Sequence, residues 1–122
     1  MSKNLQISFL LDFYGDMLTD KQRDVVELYY NEDLSLAEIA DHSGITRQGV
    51  RDSIKRAEAQ LLEYESRLKL AERFRGICTS LGEIVSLAQD VQRYNDRFGN
   101  SNEIYSCTNR IINIANHLRD EE

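Results

Sequence analysis

Four side chains in the first half of the sequence have the types and spacing for nucleic-acid chemistry. Arg47, Arg51 and Lys55 recur every fourth residue, with Gln48 beside them. On a helix that spacing gathers the three cations on one face. Arginine can fork onto the acceptors of guanine, glutamine can pair with adenine, and lysine can sit on a phosphate. Thr46 and Arg56 extend the same surface, the first as an N-cap and the second as a further cation. Asp52, four residues before Arg56, is spaced to pair with it along the helix. The competing reading is a solvated helix face, since exposed helices commonly carry Lys and Arg. Residues 46–56 hold four basic side chains against the single Asp52, in a chain whose net charge is −6. That balance excludes a sequence-independent binder, which needs a broad basic surface. A local ridge on an acidic body suits one oriented contact, with a nucleic acid or with an acidic protein surface.

The elements that must hold this ridge are marked by short-range signals. Ser35 followed by Glu38 is a capping box that opens a short helix carrying Leu36, Ile39 and Ala40. Gly44 supplies the positive φ of a tight turn, and Thr46 caps the next helix. Val50, Ile54, Ala57 and Leu61 then form an apolar stripe at helical spacing, leaving the basic row outside. Small Ala40, turn Gly44 and inward Val50 predict a helix-turn-helix whose second helix could enter a major groove. Gly49 lies inside that second helix, where glycine costs about 1 kcal/mol relative to alanine. It either permits a close backbone approach or merely weakens the first turn.

The rest of the chain reads as helix as well, so the predicted class is all-α. Leu5, Phe9, Leu10, Phe13, Tyr14 and Met17 give residues 5–17 a broad apolar face. Thr19 with Gln22 is a second capping box, opening a helix to about Tyr30. The early aromatic residues are spaced for core packing. The basic helix has no stop signal and is predicted to extend from Arg47 to about Phe74. Gly76 predicts a break, with Ser80 and Glu83 capping a helix to about Phe98. After the turn residues Gly99, Asn100 and Ser101, a last helix covers Asn102 to Arg119. Residues 1–75 therefore form a helix-turn-helix unit with a long helix, and residues 76–122 an αα-hairpin that packs on that helix, on a second copy or on a partner helix. The acidic end at 120–122 is too short to interpret.

No catalytic, metal or cofactor site emerges. His42 and His117 lack partners at ligand spacing. Glu27, Glu38 and Asp41 read as surface acids, and there is no glycine-rich phosphate loop. Two cysteines, Cys78 and Cys107, are expected as small buried hydrophobes. No apolar run approaches a membrane span, and the first residues lack a secretory pattern, so the expected location is the cytoplasm.

The segment from Phe9 to Leu68 resembles the YlxM family, small bacterial proteins related to region 4 of sigma factors. The resemblance is carried by DFY at 12–14, LTDKQR at 18–23, LYY at 28–30, SLAEIA at 35–40, TRQGV at 46–50 and IKRAEAQL at 54–61. It implies an all-helical cytosolic protein associated, through gene neighbourhood, with the signal recognition particle pathway, and a regulatory role. Its nucleic-acid-facing positions fall on Arg47, Gln48, Arg51 and Lys55. Gly49 and Arg51 stand where close relatives are expected to carry alanine and an aromatic residue, and the chain beyond Gly76 carries no recognised family pattern. Two readings follow: a non-enzymatic DNA-binding regulator, acting as a monomer or a homodimer, or an interaction protein whose ridge docks on the particle's GTPase or its RNA. A sigma-like contact with a polymerase subunit is a third option without separate support.

Overall fold

A computed structural model describes residues 3–120. Six α-helices follow in order: α1 (Leu5–Tyr14), α2 (Asp20–Tyr30), α3 (Leu36–Ser43), α4 (Arg47–Leu68), α5 (Leu70–Tyr94) and α6 (Asn102–Asp120). The described residues form no strand. The chain divides into two compact units between Ala71 and Glu72.

Local chemistry accounts for the starts of α2, α3 and α4. Thr19 and Gln22 form a complete capping box, as do Ser35 and Glu38. In the second box the Glu38 amide donates to Ser35 Oγ at 3.1 Å, and the Ser35 amide donates to Glu38 Oε1 at 3.1 Å. Thr46 caps α4 by accepting from the Gly49 amide at 2.9 Å. Gly44 ends α3 with φ of 70°, its amide donating to the Ala40 carbonyl. A Cβ there would meet nothing within 4 Å, so backbone conformation and not space calls for glycine.

In the first unit, Val25 and Tyr29 of α2, Ile39 and Ala40 of α3, and Val50 and Ile54 of α4 bury one another. This cluster sets the angle between α3 and α4. A second cluster joins Ile7, Leu10, Leu11 and Tyr14 of α1 to Ala57 and Leu61 further along α4. Full burial of an aliphatic side chain such as Leu61 contributes about 1.5–3 kcal/mol, so α1 braces the half of α4 that α3 does not cover.

The long basic helix is shorter than predicted. It stops at Leu68, with Lys69 in the left-handed conformation at φ of 56° and its amide donating to the Glu65 carbonyl. The cause is non-local. Tyr14, fully buried, donates its hydroxyl to Glu65 Oε1 at 2.6 Å. That same hydroxyl accepts from the Leu70 amide at 3.0 Å, and Glu65 Oε1 accepts from the Ala71 amide at 3.1 Å. Together they satisfy the first donors of α5, as an N-cap would.

The predicted break at Gly76 does not occur. α5 runs through Gly76, Ser80 and Glu83 without interruption. Glycine in a helix costs only about 1 kcal/mol, and the burial of Val85 and Ala88 outweighs it. Beyond Tyr94 the helix widens into a π-helical turn, Asn95–Gly99, closed by Asn100 in the left-handed conformation. The buried Asn95 fastens this corner: its amide group donates to the Ser101 carbonyl and its oxygen accepts from the Ser101 amide, both at 2.8 Å. α6 then returns antiparallel to α5, bringing Cys78 Sγ 4.0 Å from the Arg119 carbonyl. The cysteines are not the buried pair that was expected. Both are free thiols, Cys78 half-buried and Cys107 exposed, because Cys107 lies off the face that α6 turns toward α5.

Candidate nucleic-acid interface

Arg47, Gln48, Arg51, Lys55 and Arg56 are all exposed on α4, whose core face buries Val50, Ile54 and Ala57; Arg47 is exposed in the first turn, above Ile54. Successive four-residue steps advance about 40° around the axis. Arg47, Arg51 and Lys55 therefore form a slightly spiralling ridge with Gln48 at its edge. Arg56 lies farther round, on the flank shared with α2. There it lines a shallow cleft with Thr19, Lys21, Gln22 and Gly49. The exposed Lys21 thus joins the basic surface, although nothing in its local sequence separates it from an ordinary solvent-facing lysine.

The ridge has internal partners. The Gln48 side-chain amide donates to Asp52 Oδ1 at 2.9 Å. Asp52 therefore serves Gln48 and not Arg56, the pairing expected from spacing. To reach a base edge Gln48 must exchange that bond, which lowers the net gain. Lys55 Nζ stands 3.9 Å from Glu58 Oε1, too far for a hydrogen bond but close enough to act as its counterion. Glu58 is largely buried and accepts from the Tyr30 hydroxyl at 2.6 Å, tying α4 to α2. Burial, and next this bond, push the Tyr30 phenol well above its ordinary value. Lys55 consequently has a structural task beside any phosphate contact.

Thr46 is committed to its cap. A Cβ at Gly49 would come within 3.2 Å of Thr46 Oγ1 and 3.7 Å of Ile45 Cδ1. The glycine thus sits against its own cap, facing the Ile45 turn. Among the described residues, no group of three or more His, Cys, Asp or Glu side chains could hold a metal ion. No helix among them is long and apolar enough to cross a membrane.

The UPF0122 family profile, described as "Putative helix-turn-helix protein, YlxM / p13 like", matches residues 1–103. The match thus extends through α5, well beyond the Phe9–Leu68 resemblance. A UPF0122 protein of Clostridium kluyveri is 42% identical over 113 residues, covering 93% of this chain and 98% of the relative. One from Shouchella clausii is 43% identical over 98 residues, covering 78% and 90%. One from Desulforamulus reducens is 48% identical over 82 residues, covering 67% and 70%. With a profile match across most of its length and a 42%-identical relative aligned nearly end to end, the chain belongs to the UPF0122 family of YlxM/p13-like helix-turn-helix proteins.

Proposed function

We propose that this protein is a cytoplasmic, non-enzymatic DNA-binding regulator whose α4 is the recognition helix. The observation that carries the proposal is the exposed Arg47, Arg51 and Lys55 ridge directly after the Thr46-capped turn, on a helix clamped from behind by α2 and α3. In this reading Arg47 and Lys55 neutralise phosphates, Arg51 and Gln48 reach base edges, and Arg56 contacts the backbone beside Lys21. Thr46 holds the first turn of α4 so that Arg47 projects from a fixed position. This reading takes the regulation to belong to the signal recognition particle pathway, on the strength of the resemblance to YlxM proteins alone.

A second reading draws on specific observations. Gln48 is held by Asp52, Lys55 is the counterion of Glu58, and the chain carries a net charge of −6. These favour a ridge that docks on the targeting particle's GTPase or on its RNA. Readout of an A-form groove is sterically closed to side chains, so RNA contact would use loops or backbone.

The test is selection from sheared genomic DNA by the purified protein, in parallel with its Arg51→Glu variant, followed by sequencing. Enrichment of defined fragments by the wild type alone supports the DNA reading. No enrichment, together with nuclease-insensitive binding to the purified particle protein, or DNase-insensitive binding to its RNA, replaces it with the second.

A further inference from the structure

The hairpin of α5 and α6 leaves much of its apolar surface uncovered. Its internal contact uses small residues: Val85 and Ala88 on α5, Thr108 and Ala115 on α6, all buried. A second apolar row runs along each helix. On α5 it is Ile84, Leu87, Val91, Tyr94 and the adjoining Phe98, each 44–75% exposed. On α6 it is Ile104, Cys107, Ile111, Ile114 and Leu118, and its four large side chains are 44–55% exposed. Both rows step by three and four residues alternately, the period of a coiled-coil seam. At about 100° per residue, each row lies roughly a quarter-turn from the buried row of its own helix, in the same rotational sense. Because the helices are antiparallel, the shared sense brings both rows to one side of the hairpin. The result is one continuous apolar face that a two-helix unit cannot cover by itself.

The charges beside the face identify what covers it. Seam positions 84, 91 and 98 on α5 are immediately preceded by Glu83, Asp90 and Arg97. Seam positions 104, 111 and 118 on α6 are immediately preceded by Glu103, Arg110 and His117. These flanking positions meet one another when two such seams pack antiparallel. The Asn95–Ser101 corner and the Cys78–Arg119 contact fix the heights of α5 and α6 relative to each other. With two hairpins stacked so that α5 of one lies on α6 of the other, these heights put Glu103, Arg110 and His117 within about one helical turn (~5 Å) of the levels of Arg97, Asp90 and Glu83, in reach of the long side chains among them. Arg97 with Glu103 and Asp90 with Arg110 are opposite in charge, and Glu83 meets a histidine ring that can donate a hydrogen bond to it. Stacking α5 on α5 and α6 on α6 instead sets Asp90 against Asp90 and Arg110 against Arg110, two like-charge contacts at the centre that work against its Glu83–Arg97 pairs, whereas α5 on α6 has no like-charge contact.

We propose that the face is the docking surface for a second copy of this chain, α5 of each copy lying antiparallel on α6 of the other in a four-helix bundle. The contact is isologous, so each charge pair occurs twice. Asp90 also pairs with Arg93 of its own helix, on the side away from the seam, so the contact with Arg110 of the second copy shares or exchanges that bond.

The experiment is sedimentation of the full chain across a concentration series. The wild type is expected to be a dimer. Asp90→Arg and Arg110→Asp each place like charges at both central contacts and should weaken the dimer about tenfold, since two rim pairs of up to ~1 kcal/mol each are reversed. An equimolar mixture of the two variants restores opposite charges at both contacts and should recover wild-type affinity. Ile111→Asp should give a monomer with unchanged helical circular dichroism. A wild type that stays monomeric at hundreds of micromolar overturns the proposal. So does a mixture that associates no better than either variant alone, or recovery of Asp90→Arg by wild type instead of by Arg110→Asp, the mark of α5 stacked on α5.

Discussion

Replacing Tyr14 by phenylalanine removes one oxygen from a fully buried ring and leaves the packing of α1 intact. The consequences fall at the junction between α4 and α5. Glu65 loses its 2.6 Å donor, and the Leu70 amide loses its 3.0 Å acceptor. A hydrogen bond to a charged group contributes about 1.5–3 kcal/mol, and the Leu70 donor, only partly buried, costs toward the lower end of the ~1–3 kcal/mol of a stranded buried one. The two overlap, because Glu65 keeps the Ala71 amide at 3.1 Å. The expected loss is therefore about 2–3 kcal/mol, below the simple total of the two effects. Urea denaturation of Tyr14→Phe, followed by circular dichroism, should show this loss as a lower midpoint at unchanged slope. Amide exchange should localise it, with protection falling first at Leu70 and Ala71. A loss below about 0.5 kcal/mol, the range of ordinary surface changes, would refute the assignment of the Tyr14 hydroxyl as the cap of α5.

Two further outcomes follow from the same geometry. Gly44 and Gly49 should respond oppositely to alanine. Gly44→Ala, at φ of 70° in open space, should destabilise by about 1–2 kcal/mol. Gly49→Ala, in helical conformation, should raise the melting temperature, by less than the ~1 kcal/mol of intrinsic propensity because of the 3.2 Å approach to Thr46 Oγ1; a lowered melting temperature would show that the cap cannot yield. Burial and then bonds to glutamates raise both the Tyr14 and Tyr30 phenols above their ordinary value. Their folded forms therefore keep protons that the unfolded chain releases near about pH 10, so this stabilisation is full below that pH and declines as pH rises further. Tyr30→Phe should make the alkaline limb of the stability profile shallower, and an identical limb would contradict the burial argument.

The parts of the fold legible in sequence are those decided within one turn of helix. The caps at Thr19, Ser35 and Thr46 depend on residues three positions away, and Gly44 on a single dihedral. The exposure of Arg47, Arg51 and Lys55 follows from the stripe of Val50, Ile54 and Ala57, again a local pattern. The end of α4 at Lys69 was hidden because it depends on Tyr14, whose hydroxyl reaches Leu70 across 56 positions of sequence. Gly76 and Ser80 look like a boundary locally, yet α5 continues through them to bury Val85 and Ala88. Asn95 gives no motif, since its bonds to Ser101 exist only once the π-helical turn has formed. At the candidate interface, composition displayed the cations but not their internal partners: Asp52 could serve either Gln48 or Arg56 by spacing, and Glu58 needs Lys55 nearby only because Tyr30 helps to bury it.

The claim that most needs a direct measurement is that the α4 ridge binds DNA. Equilibrium binding of a selected fragment should be measured over a salt series for the wild type, Arg47→Ala, Lys55→Ala and Arg51→Glu, with circular dichroism as the folding control. The account predicts that affinity falls linearly with salt on logarithmic axes, and that loss of either phosphate contact at Arg47 or Lys55 reduces the slope by about one unit. Arg51→Glu should remove discrimination between the selected and scrambled fragments. Wild-type affinity, slope and discrimination in all three variants would contradict a DNA-binding role for this helix.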